Sequence, residues 1–128
     1  MSKTSVKARL AMIQAFANFM DNGSQSATVI FYEGVQPANT SIAADSSKAL
    51  VTLVFPEPCI KETTPTYIEF HPTNTGSVIK SGTATWARIY NGAGEVAADL
   101  TVGSDISLAN TNLALGGTLS TTSIKLRP

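Results

Sequence analysis

The strongest constraint on the fold of this 128-residue chain is a pair of segments on either side of a glycine-containing turn. In each segment the side chains alternate in character from one residue to the next, as they do along a strand with two different faces. Residues 83–90 and 95–102, with the sequences TATWARIY and EVAADLTV, flank the tetrapeptide NGAG. Two alternating segments that meet at a short loop rich in Asn and Gly predict a β-hairpin. The two-residue period of a strand places Trp86, Arg88 and Tyr90 on one face and Ala87 and Ile89 on the other.

Other segments rich in β-branched and aromatic residues predict further strands at 28–33, 48–55, 105–108 and 118–126. The segment 48–55, KALVTLVF, is apolar on both faces, so we expect it to be central in a sheet or covered by a partner. Val51 and Phe55 are its candidate core or interface residues. Six or seven short strands separated by turn residues predict a mainly β fold, a β-sandwich or jelly roll with one N-terminal α-helix.

That helix is predicted at residues 5–21, SVKARLAMIQAFANFMD. Thr4 or Ser5 can cap its start, and Asn22-Gly23 signals its end. Met12 and Phe19 widen its apolar stripe towards a second face. The side chains expected to pack against the sheet or against a neighbouring copy are Leu10, Ile13, Phe16 and Met20.

The charges of this helix oppose its dipole. Lys7 and Arg9 lie near its start and Asp21 lies at its end, where the helix dipole favours the opposite signs. Two interpretations stay open: a tolerated cost of a few tenths of a kcal/mol, or acidic groups on a partner.

Residues 56–82 hold four of the six prolines in the chain. Because proline donates no backbone hydrogen bond, it is excluded from central strands. We therefore expect an irregular but ordered proline-rich arm, with an edge strand at Tyr67–Phe70 as its only regular part. Ile68 and Phe70 are its candidate core or interface residues. The whole of 1–128 is expected to be a single β-rich domain.

Composition excludes several functions. Lys and Arg balance Asp and Glu at nine each, which argues against binding to a nucleic-acid backbone. The longest apolar run is too short to span a membrane. The chain has a single Cys and a single His, so it has few of the side chains that commonly bind metals or act in nucleophilic catalysis. We therefore expect no cofactor, no metal, no catalytic residues and no enzymatic activity.

Trp86 and Tyr90 allow two interpretations. A tryptophan in the middle of a strand predicts burial in a core or an interface. The alternative is a sugar-stacking platform in a carbohydrate-binding or receptor-binding β module. Exposure of the Trp86 ring decides between the two interpretations.

The order of motifs resembles that of small structural proteins of tailed bacteriophage particles. The motifs are AxFMDNG at the end of the helix, VIFYEGVQPA, GTATWARIYNGAGEVAADLTVG and SDISLANTNLALGGTLSTTSIKL. The resemblance is carried by Phe31–Ala38, Ser81–Val102 and Ser104–Leu126, which are 53 of the 128 residues of the chain.

This resemblance implies a capsid cement (decoration) protein that binds and stabilises the shell of major capsid protein. It places the chain on the outer surface of the capsid in the virion. It also implies self-association, with a dimer expected, and a tail or connector protein is the alternative role in the particle. No binding residue of the family can be assigned to a position of this sequence.

Overall fold

The computed structural model describes residues 5–57, 59–64, 67–106, 108, 110–120 and 124–126. This part of the chain is mainly β with one helix, as predicted, and its strands form four antiparallel sheets. The helix is α1 (Val6–Met20), and Ser46–Lys48 form one turn of 3-10 helix. The strands are β1 (Thr28–Tyr32), β2 (Ala49–Val54), β3 (Ile60–Thr63), β4 (Ile68–Phe70), β5 (Gly76–Ser77), β6 (Gly82–Thr83), β7 (Trp86–Tyr90), β8 (Val96–Thr101), β9 (Asn112–Leu113), β10 (Thr118–Leu119) and β11 (Ile124–Leu126).

The predicted helix is confirmed to within one residue at each end. The Ser5 hydroxyl caps its start by accepting the Ala8 N–H at 3.1 Å, which satisfies one of the free donors of the first turn. Ile13 and Met20 are buried, and Phe16 packs against the core while keeping part of its surface exposed. Through this face α1 lies against β3.

The four-stranded sheet has the order β2-β1-β7-β8 and contains the predicted hairpin as β7 and β8. Its inner face buries alternate side chains of each strand, as the two-residue period requires. These side chains are Val29, Phe31, Val51, Leu53, Ala87, Ile89 and Leu100.

The three-stranded sheet, with the order β11-β4-β3, contributes to the same core cluster as the four-stranded sheet. Ile68, Phe70 and Ile124 are buried there, and the rings of Phe55 and Phe70 lie 5.0 Å apart between centroids. The two remaining sheets have two strands each, β10 with β5 and β6 with β9.

The expectation for the proline-rich segment 56–82 is wrong in two respects. The segment forms regular strands, β3 to β5, and β4 is a central strand between β3 and β11 instead of an edge strand. Pro56 and Pro72 stand outside the strands, so they interrupt no ladder of hydrogen bonds. The segment is part of the core, since it buries Cys59, Ile68, Phe70 and Val78.

The C-terminal strands also differ from the prediction. The expected strand 118–126 is two strands in different sheets, because β10 pairs with β5 and β11 pairs with β4. In 105–108, Ile106 forms only an isolated bridge with Val102, and residue 107 lies outside the described residues. The structure therefore has more strands than the six or seven expected.

Candidate functional site

The outer face of the four-stranded sheet carries an aromatic stack. Tyr32 and Trp86 are paired across β1 and β7, and their rings lie 4.5 Å apart at an interplanar angle of 16°. The Tyr32 hydroxyl lies 3.3 Å from that of Tyr90. Burial and the Tyr90 hydroxyl raise the pKa of Tyr32 above its ordinary value. Trp86 is only 3% exposed, so its ring offers no open platform for stacking a sugar.

Beside this stack lies a buried ion pair. The Arg88 guanidinium donates to Asp99 through Nε at 2.7 Å and through Nη2 at 3.0 Å. Its Nη1 donates to the Ile42 carbonyl at 2.7 Å, and its Cζ lies 5.4 Å from the centre of the Trp86 ring. A bidentate pair with a third bond satisfies a guanidinium that has left water. Arg88 therefore joins β7, β8 and the loop that follows β1.

That loop, residues 33–48, is fixed to the sheet at further points. The Thr85 hydroxyl donates to the Gly34 carbonyl at 2.6 Å, and the Thr101 hydroxyl donates to the Gln36 side-chain oxygen at 2.7 Å. At its far end the Asp45 carboxylate accepts the Ser47 N–H at 3.0 Å and so caps the 3-10 turn. Loop 33–48 is consequently an ordered part of the surface.

Between loop 33–48 and the sheet lies a largely apolar groove of about 640 Å³. Trp86 and the charged residues Glu33, Asp45 and Lys48 are among the residues that line it. The apolar lining comes from Val35, Pro37, Ala38, Ile42 and Ala43.

Three aliphatic side chains are strongly exposed on loops that are linked to one another, and one of them, Val35, also lines the groove. They are Val35 at 92%, Ile79 at 65% and Leu115 at 67% exposure. Their loops are linked, because Lys80 forms an ion pair with Glu33 and the Leu115 N–H donates to the Ser81 hydroxyl at 2.8 Å. We name Val35, Ile79 and Leu115, together with the groove, the loop-end surface.

The other predicted residues divide into two groups. Leu10, Phe16 and Tyr90 are partly exposed. The remaining candidates are buried in the chain itself: Ile13, Met20, Val51, Phe55, Ile68, Phe70 and Trp86. Sequence reasoning missed Val35 and Leu115, since single aliphatic residues in loops carry no periodic signal.

In the described part of the chain, no group of three or more His, Cys, Asp or Glu residues is placed to hold a metal ion. Cys59 is buried, and its backbone N–H donates to the Asp21 carboxylate at 3.1 Å. Burial, with Asp21 close by, raises the pKa of the Cys59 thiol to about 12.

We expect Cys59 to resist alkylation in the folded protein. With a pKa near 12, its thiolate fraction at pH 8 is about a thousandfold lower than that of a thiol of pKa 9. Iodoacetamide labelling followed by mass spectrometry should show slow modification in buffer and rapid modification in denaturant. Rapid labelling without denaturant would contradict the burial of this side chain.

No protein-family model, curated protein or solved structure matches the chain. The resemblance to phage particle proteins therefore stays a prediction. Among the described residues, no helix has the length and apolar character needed to cross a membrane.

Proposed function

We propose that the chain is a structural component of a tailed phage particle, a capsid cement protein that binds the outer surface of the major capsid shell and stabilises it. The observation that supports this proposal best is the loop-end surface. Its exposed aliphatic side chains stand on ordered loops, and an exposed apolar patch commonly marks a site of protein interaction.

The charges around the loop-end surface suit an apolar partner. Lys80 is paired with Glu33 and also donates to the Ser47 carbonyl at 3.0 Å. Because these charges are already paired and the chain has no net charge, we expect attachment to depend little on salt. A cement protein that contacts two or more capsid subunits at once needs only modest affinity at each contact.

We infer that the four-stranded and three-stranded sheets form the two layers of a β-sandwich of jelly-roll type. Val29 and Leu53 of the first sheet and Ile68 and Phe70 of the second belong to one core cluster, as in two sheets packed face to face. This arrangement leaves loop 33–48 at one end, where a rigid framework can present it to a partner.

Attachment to the shell is tested with capsids that lack the chain. Val35→Asp/Leu115→Asp should reduce binding by about 100-fold, since both carboxylates would have to leave water at the interface. Co-sedimentation of purified protein with capsids at low and moderate salt measures this loss. Calorimetry of the decorated shell should show a higher melting temperature than that of the bare shell.

Ser24→Asp is the matched control, because Ser24 is exposed and precedes β1 whereas Val35 follows it, which places the two residues at opposite ends of that strand. The control should bind like the parent. Equal binding by the double variant would reject the loop-end surface as the attachment site. A map of the particle that shows the chain in the tail or connector would reject the cement role itself.

A further inference from the structure

The helix α1 has many more apolar residues than the single chain buries. Its only polar residues are Lys7, Arg9, Gln14 and Asn18, yet Ile13 and Met20 are its only buried side chains. Lys7, Gln14 and Asn18 follow the spacing i, i+7, i+11 and form one polar side of α1. Apolar residues and Arg9 cover the rest of its circumference, which is a wider arc than the buried residues occupy. Among the described residues, part of this apolar arc stays exposed.

In that part of the arc lie Ala8, Met12, Ala15 and Phe19, which follow the spacing i, i+4, i+7, i+11 and so lie on one side of the helix. Ala8 and Ala15 are exposed, Met12 is 50% exposed and Phe19 is partly exposed. We name these four residues the second face of α1.

We propose that the second face is the contact between two copies of this chain, with the two α1 helices antiparallel about a two-fold axis. An axis between Ile13 and Gln14 places Ala8 of one copy opposite Phe19 of the other, and Met12 opposite Ala15. Each large side chain then meets a small one, which fills the space between closely packed helices. A parallel pairing in register would set Phe19 against Phe19 and Ala8 against Ala8.

The charges also favour the antiparallel arrangement. The first turn of α1 has no acidic residue and the last turn has no basic one; Lys7 and Arg9 lie near the start and Asp21 caps the end. Antiparallel pairing sets the basic start of each helix beside the negative end of the other dipole. A parallel pairing brings the basic ends together.

Sedimentation equilibrium of the purified chain tests this pairing. At about 100 µM the parent should be a dimer, while the short interface predicts dissociation on dilution. Ala15→Glu should weaken the dimer by at least about 100-fold, because the two-fold axis brings two carboxylates into the contact. Gln14→Glu, at an exposed position outside the second face, should remain dimeric.

Disulfide trapping tests the direction of pairing. Mixed Ala8→Cys and Phe19→Cys proteins should form a heterodimer under oxidation. Ala8→Cys alone should not cross-link, since antiparallel helices hold the two positions about 16 Å apart along the axis. Circular dichroism verifies that each variant is folded.

Three results would overturn the proposal: a monomeric parent at about 100 µM, a dimer unchanged by Ala15→Glu, or efficient cross-linking of Ala8→Cys to itself. Because these measurements need no capsid, the proposal does not rest on the cement function. A monomeric protein would reject the dimer but not the cement function. A protein that does not bind capsids would reject the cement function but not the dimer.

Discussion

Gly92→Ala should destabilise the protein by about 3 kcal/mol or more and lower its melting temperature by roughly 10 °C or more. A Cβ atom at Gly92 would lie 2.0 Å from the Gln25 carbonyl oxygen and 2.7 Å from that of Asn22. Both obstacles are backbone atoms, so no flexible side chain can move aside. The substitution must separate the β7–β8 turn from the segment that follows α1.

Two hydrogen bonds depend on this close approach. The Gly92 N–H donates to the Met20 carbonyl at 3.3 Å, and the Gln25 N–H donates to the Gly92 carbonyl at 3.2 Å. Their loss adds to the steric cost, and the sum is a large part of the stability of an ordinary domain.

Gly94→Ala in the same turn is the matched control for thermal unfolding. Gly94 has φ +82° but no heavy atom within 4 Å of its ideal Cβ position, so the expected cost is only the backbone strain of about 1–2 kcal/mol. If the two variants melt at the same temperature, the close approach at Gly92 does not hold the turn to the helix end.

The elements predicted well from sequence are those whose pattern is long enough to read. The helix α1 and the β7–β8 hairpin each have a period that shows over five or more residues, and β1 and β2 are runs of β-branched, aromatic or other apolar residues of similar length. Strands β5, β6, β9 and β10 have two residues each. These strands form by pairing with strands that are distant in sequence, as β5 does with β10 and β6 with β9. Two residues are too few to show a strand period in the sequence.

Proline misled the interpretation of residues 56–82 for a related reason. The prolines mark interruptions, but the strands between them are only two to four residues long and fit between the interruptions. The strand β4 is central because it also pairs with β11, more than fifty residues away. That pairing is invisible to a local rule.

The candidate surfaces were only partly predictable. The alternation of β7 predicted Trp86, Arg88 and Tyr90 on one face. The register that sets Arg88 opposite Asp99 was not predictable, because it depends on an irregularity between Ile89 and Tyr90 that the four-residue loop does not indicate. The loop-end surface takes Val35, Ile79 and Leu115 from three loops, which are linked by the Lys80–Glu33 ion pair and the Leu115–Ser81 hydrogen bond. These links join residues distant in sequence, so no local pattern indicates them.

Removing either member of the Arg88–Asp99 pair should destabilise the protein by about 3–5 kcal/mol, because the remaining charge stays buried without its partner. The side chains of Arg88 and Asp99 are 1% and 7% exposed, so little water can replace the lost contact. Urea unfolding of Arg88→Met and Asp99→Leu measures the two losses. The double variant should be more stable than either single variant, since it buries no unpaired charge.

Lys80→Met provides the comparison with an exposed ion pair. The side chains of Lys80 and Glu33 are 45% and 26% exposed, so its loss should cost at most about 1 kcal/mol and shrink further in high salt. The effect of Arg88→Met should persist in high salt. Equal and salt-sensitive effects of the two substitutions would show that the Arg88 pair behaves as a surface pair.

Arg88 also anchors loop 33–48, and the double variant separates this role from the ion pair. Arg88→Met and the double variant Arg88→Met/Asp99→Leu both lose the hydrogen bond from Arg88 Nη1 to the Ile42 carbonyl. The single variant Asp99→Leu keeps Arg88 and therefore keeps the donor of this bond. Hydrogen exchange over residues 34–45 should therefore be faster in both variants that lack Arg88, even where global stability has recovered. If exchange in loop 33–48 follows global stability alone, the loop is held by Thr85 and Thr101 and does not need Arg88.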